Sequence, residues 1–314
     1  MVTLDEYARH SDYTDPGRFG ALLDAVPADV RAAAEVARNV IVHYRAAGYA
    51  FTGDRLAEID NRWVDRILGT DQGRFAAPLS APRPEPERVA GCCRDFTLLT
   101  VAALRHHGVP ARSRIGFATY FKPDFNHDHV VVEYWDGQRW AFTDAQLAPG
   151  PEWPFDTCDI PRRVGAHPAA PPLFATAAQV WTAFRAGEID ADRYGVAPDL
   201  PHLCGGWFIY NYVLLELAHR QRDELLLWDG WGAMRGDLDD DPDSDLGPVD
   251  EVAALLLAAD DGDDAAEREL ADRYAKDDRL RPGDRIISRS PTGTDLSVNL
   301  RTKEATPAPA ILDS

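Results

Sequence analysis

The run HVVVEYWDGQRWAFTD, residues 129–144, constrains this chain more than any other stretch. Two β-rich segments flank Asp136-Gly137, and Asp-Gly in that setting is a strong signal for a two-residue type I′ hairpin turn. Such a turn fixes the register. Trp135 would face Gln138, followed by Glu133 with Trp140, Val131 with Phe142 and His129 with Asp144. Directly opposed residues of an antiparallel pair share a face, with Cβ atoms about 4.5–5.5 Å apart. The His129 imidazole is therefore expected within hydrogen-bond reach of the Asp144 carboxylate. That contact would fix the ring tautomer and leave the other nitrogen free to act as a base.

A base implies something to activate. Upstream, residues 93–107 read as an apolar helix closed by Gly108 and Pro110, and Cys93 stands in its first turn. Unpaired amides and the positive end of the helix dipole stabilise a thiolate there, lowering a thiol whose free pKa is about 8.5. Cys158 and Cys204 lack such a setting and read as small core residues. A helix bearing a thiol, a strand bearing His and a strand bearing Asp follow in the order of an activated nucleophile with an oriented base.

The stretches GCCRDFTLLTVAALRHHGVPAR, DHVVVEYW and RWAFTDAQL resemble the core of the transglutaminase-like superfamily over residues 88–147. That pattern has Gly, any residue, Cys, any residue and Asp on a helix ending in a Gly-hydrophobic-Pro-Ala-Arg turn, then a His opening a strand and an Asp on the next. The resemblance implies an α+β fold: a papain-like core with the Cys helix packed on an antiparallel sheet, plus additional helices. It implies that Cys93 is the nucleophile, with Cys92 in the variable slot, His129 as base and then acid, and Asp144 as the orienting acid. Val130 stands where many relatives carry an aromatic residue, leaving that substrate contact open. His127 and Trp135 are the candidate substrate-binding residues, with a polar residue near a strand entry as the other reading of His127. Asp95 supports local structure, and Arg94 reads equally as a surface side chain. The implied reaction is hydrolysis of an amide or peptide-like carbonyl through an acyl-enzyme. Transfer of the acyl group to an amine is the alternative, and a non-catalytic binding domain is a third reading. The substrate would be a peptide, a protein or a small-molecule amide, with no organic cofactor and no metal.

Metal chemistry has weaker support. Cys93, His127, His129 and Asp144 offer mixed zinc ligands, yet no CxxC or HExxH spacing exists. DDDPDSDLGPVD, residues 239–250, echoes a calcium loop but lacks its Gly and its final Glu. The net charge of −19 disfavours nucleic acid and anionic membranes as partners. Twelve acidic residues and no basic one lie between Asp237 and Asp264, so part of that charge is local. With no apolar leader, no membrane span and only four cysteines, a reduced cytoplasmic protein is expected.

The expected organisation is a catalytic domain over 1–235, an acidic linker over 236–250 and a small C-terminal extension over 251–314 with two helices and a hairpin. Further helices are expected over 28–48, 54–67, 176–186 and 206–228. Proline-rich connections are expected over 77–88 and 148–172. The cluster ELLLWDGWGAM reads as core or as a cleft wall.

Overall fold

The computed structural model describes residues 3–162, 172–236, 238 and 245–308. Short helices α1 (Leu4–Tyr7) and α2 (Gly20–Asp24) precede α3 (Val30–Val40), which is capped by the Asp29 carboxylate accepting from the Arg31 and Ala32 amides. The helix expected to run on to residue 48 stops at Val40. The β-branched residues there favour extended backbone, and β1 (Ile41–His43) pairs in parallel with β2 (Val89–Gly91). The helix expected over 54–67 is also broken, into α4 (Gly53–Leu56), a 3-10 turn at Ala57–Asp60 and α5 (Val64–Arg74). Between the pieces, buried Arg62 forks onto Asp229 through Nε and Nη2 at 2.8 and 2.6 Å, which ties this extended link to a distant part of the chain.

At the centre lies α6 (Cys93–His106), buried without interruption from Cys93 to Arg105. It packs on an antiparallel sheet of β3 (Ala111–Lys122), β4 (Phe125–Trp135), β5 (Trp140–Thr143) and β6 (Phe174–Thr176), in the order β5-β4-β3-β6. Thr97 on α6 donates its hydroxyl to the Val130 carbonyl at 2.9 Å, and Val130, Val132 and Ile115 share one core with Phe96, Leu99 and Val101. The α+β architecture, with the Cys helix on an antiparallel sheet, is as expected. Tyr194–Gly195 (β7) adds a short parallel pairing to β4.

The hairpin register differs from the expected one. Trp135 pairs with Trp140, Glu133 with Phe142 and Val132 with Thr143, so every partner has moved by two residues. The connection holds four residues, not two. Asp136 Oδ1 accepts from the Gln138 and Arg139 amides at 2.8 Å, and the Asp136 amide donates to the Arg139 carbonyl at 3.0 Å. An aspartate that caps its own turn in this way competes with the two-residue solution. Because the shift is even, the alternation of faces is preserved, and that is why the inferred His129–Asp144 neighbourhood survives a wrong register.

Beyond the sheet come α7 (Ala177–Arg185) and α8 (Gly206–Arg220). The helix expected over 206–228 thus ends eight residues early, and Asp229–Gly230 (β8) instead edges a second antiparallel sheet with β9 (Arg285–Arg289), β10 (Asp295–Asn299) and β11 (Glu304–Pro307). Helix α9 (Gly247–Asp260) begins within the span expected as a linker, and α10 (Asp264–Lys276) follows. Residues 237 and 239–244, which carry most of the calcium-like acids, lie outside the described residues. Val249, Val252 and Leu256 of α9 belong to the same core as α6 and α8. No helix among the described residues is long and apolar enough to cross a membrane.

Candidate active site

The site begins where β2 turns into α6. A Cβ on Gly91 would lie 2.8 Å from Asp95 Oδ2 and 3.0 Å from the Ile41 side chain, so this close approach needs glycine. Asp95 Oδ2 accepts the Cys92 amide at 2.8 Å and so holds the first turn of the helix. Arg94 is fully buried rather than a surface side chain. It donates to Asp95 Oδ1 at 2.9 Å, to the Arg62 carbonyl at 2.6 Å and to the Glu224 carbonyl. Residues 91–95 therefore fasten the helix start from both sides, which leaves little freedom to Cys93.

The Cys93 thiol is held well below the ordinary range. The Cys92 thiol donating to it is the main cause; burial opposes the shift, and hydrogen bonds from His129 and His43 add to it. Cys92 moves the other way, raised by its hydrogen bond to the Cys93 sulfur and by burial, and remains a thiol.

His129 and Asp144 meet as a diagonal pair just past the end of β5. His129 Nε2 donates to Asp144 Oδ2 at 2.7 Å, which leaves Nδ1 for Cys93. The same carboxylate accepts from the Tyr120 hydroxyl at 2.6 Å, and its Oδ1 accepts from the Gln146 amide at 3.0 Å. Asp144 is completely buried, and its own amide donates to the Thr157 carbonyl at 2.8 Å. Burial disfavours a charged His129 ring, but Asp144 and the Cys93 sulfur outweigh it, and the imidazole is pushed up to about 10. The two shifts describe a thiolate–imidazolium pair at neutral pH.

Two neighbours were not foreseen. His43 lies beside Gly91 in the parallel β1–β2 pairing, one step from the cysteines. The Arg45 amide donates to its Nδ1 at 3.2 Å, so the ring proton sits on Nε2, free to serve as a donor. Tyr120 is the other. Their sequence signal is faint, because each needs a non-local pairing that no motif announces.

Cys92, Cys93 and His129 open into a cavity of about 650 Å³. Its walls include Tyr44, Trp207, Phe208, Leu227, Trp228 and Met234, so the aromatic cluster near residue 228 forms part of a cleft wall. His127 also lines it, with Nδ1 donating to the Val196 carbonyl at 2.9 Å. Trp135 does not. It ends β4, six residues beyond His129 and thus about 20 Å along the strand, where it packs edge-on against Trp140. No group of three or more His, Cys, Asp or Glu side chains among the described residues is arranged to hold a metal ion.

Comparison with known proteins agrees on the core. The family model of the transglutaminase-like superfamily matches residues 71–145, a span that contains Cys93, His129 and Asp144. No curated protein matches the chain. A solved structure described as a "Putative Cysteine Protease" from Cytophaga hutchinsonii is similar at 20% identity, over 45% of this chain and 40% of that chain, with a TM-score of 0.30. At that TM-score the likeness carries no argument. Over residues 71–145, this chain is similar to the transglutaminase-like superfamily.

Proposed function

We propose that this chain is a cysteine-dependent hydrolase that acts on an amide or peptide-like carbonyl. The observation that supports it best is that Cys93 and His129 open into one cavity, with Asp144 buried behind His129 and hydrogen-bonded to it. The Cys93 thiolate attacks the carbonyl carbon. The oxyanion is held by the Cys93 amide and by Nε2–H of His43, the donor that completes the pair. His129 Nδ1–H then protonates the departing amine, leaving a thioester. A water deprotonated by His129 attacks that thioester, and collapse of the adduct expels the Cys93 thiolate, releasing the acid and restoring the thiolate–imidazolium pair.

The test uses p-nitrophenyl acetate with and without hydroxylamine. One nitrophenolate per chain should appear as a burst that Cys93→Ala lacks, followed by acetate as the product. Acetohydroxamate forming at the expense of acetate at low hydroxylamine would favour amine transfer, the acyltransferase reading. A Cys93→Ala chain that bursts like wild type would end the nucleophile reading.

Asp144→Asn is expected to slow the same burst by about 10²–10⁴-fold, since an amide cannot hold the His129 tautomer or stabilise its charged form. A burst rate within threefold of wild type would remove Asp144 from the mechanism.

A further inference from the structure

One charged group in the cavity takes no part in this chemistry. Asp128 precedes His129 on β4, lies opposite Phe117 in the β3–β4 ladder and lines the cavity near Cys93. Its Oδ2 accepts from the Tyr212 hydroxyl at 2.5 Å. No ion pair is made to it among the described residues, whereas Asp229, the other cavity carboxylate, is consumed by the fork from Arg62. Tyr212 is itself rigid, stacked on Phe208 at 4.3 Å and packed against Phe117 at 5.4 Å. A half-buried carboxylate with one fixed donor, no cation bonded to it among the described residues (the nearby His129 ring is turned to Asp144) and an apolar chamber in front of it is the arrangement expected of a recognition group for a positive charge.

We propose that Asp128 anchors a protonated amine of the substrate, so that the substrate class is an amide carrying an apolar body and a basic group. This rests on the hydrolase reading for the word substrate, but the cation site itself does not. The anchored amine is protonated and so is not the acceptor of an acyl group; no bond to it forms or breaks. Arg45 and Arg289 also border the cavity, but both are exposed, and Arg45 is turned onto Tyr44, with Nε donating to its hydroxyl at 2.7 Å. Water and salt screen such rim charges far more than a carboxylate set among apolar side chains. The inner charge therefore sets the preference. Burial, with the Cys93 sulfur nearby, raises the Asp128 carboxyl to about 7, as expected of an acid awaiting a counter-charge.

The test is a tryptophan-fluorescence titration, since Trp207 and Trp228 line the same cavity. The probes are n-hexylammonium, 1-hexanol and hexanoate, which share one apolar body and differ in charge. Hexylammonium should bind wild type at least about tenfold more tightly than hexanol, the range of a hydrogen bond to a charged group. Asp128→Asn, which keeps the shape and can still meet the Tyr212 hydroxyl, should bring that ratio close to one. Equal affinities in wild type, a preference for hexanoate, or a ratio that survives in Asp128→Asn would each overturn the proposal. The readout is a ratio of affinities and needs no catalysis. A cation preference with an unreactive Cys93 would keep the anchor and sink the hydrolase; the reverse result would do the opposite.

Discussion

Iodoacetamide should alkylate Cys93 before any other cysteine, at roughly ten times the rate of a free thiol at neutral pH. A free thiol is only about 3% ionised at pH 7, so complete ionisation alone gives about thirtyfold. A less basic thiolate is a weaker nucleophile, which takes back a few-fold. The sign with pH follows from the direction of the shift. Cys93 lies below the ordinary thiol range, so its thiolate persists on acidification while a free thiol loses tenfold per pH unit; the advantage grows toward acid. On the alkaline side the pair dissolves as His129 loses its proton near 10. Cys92→Ala should raise the pH at which Cys93 reacts, because the Cys92 thiol is the largest cause of the shift. His129→Ala should do likewise. Peptide mass mapping reads wild type and both variants, and wild-type labelling that falls mainly on Cys92 would mean the thiolate has been assigned to the wrong sulfur.

The contrast between Cys92 and Cys93 shows how far the residues alone could go. The helix start, the His strand and the Asp strand were legible because each is written in local chemistry: a glycine before the thiol, an apolar run closed by Gly108, and two β-rich segments around a turn. The register was misread because Asp136 can cap its own backbone, a choice decided by side-chain hydrogen bonds rather than by residue type. An odd slip would have sent Asp144 to the other face; an even one kept the pair together. Arg94 was left undecided for a different reason. A charged side chain one step after a nucleophile reads as solvent-facing until two carbonyls from distant segments are seen to receive it. His43 and the far wall of the cavity come from β1, α8 and the segment around Trp228. Long-range packing brings them to the thiol, and no periodicity encodes that meeting.

Long-range packing also sets the second large effect, which lies far from the thiol. Removing the Asp260 charge is expected to cost about 3 kcal/mol of folding stability, near the lower end for breaking one side of a buried ion pair. Asp260 ends α9, yet its carboxylate meets Arg114 of β3 at 2.5 and 3.0 Å and Arg220 of α8 at 2.7 Å. Arg114 is 1% exposed and is shared with Glu133 at 2.8 Å and Glu216 at 3.0 Å, which is why the loss stays at that lower end. Burial opposes ionisation of Asp260, but Arg114 and Arg220 dominate and hold it well below the usual carboxylate range. A depressed carboxylate stabilises the fold above its unfolded value, about 4, and that contribution is lost as the pH falls toward the folded value. The gap between wild type and Asp260→Asn should thus be full at pH 7 and shrink steadily below about pH 4. Urea unfolding at several pH values measures it, with an unchanged slope showing that the unfolding unit is the same. A gap under about 1 kcal/mol would class these contacts with ordinary surface pairs. The full loss would make α9 part of the folding unit that carries Cys93. Ending the chain at residue 245 should then leave no cooperative transition, because it strips Asp260 from two buried arginines and uncovers the core around Val252 and Leu256.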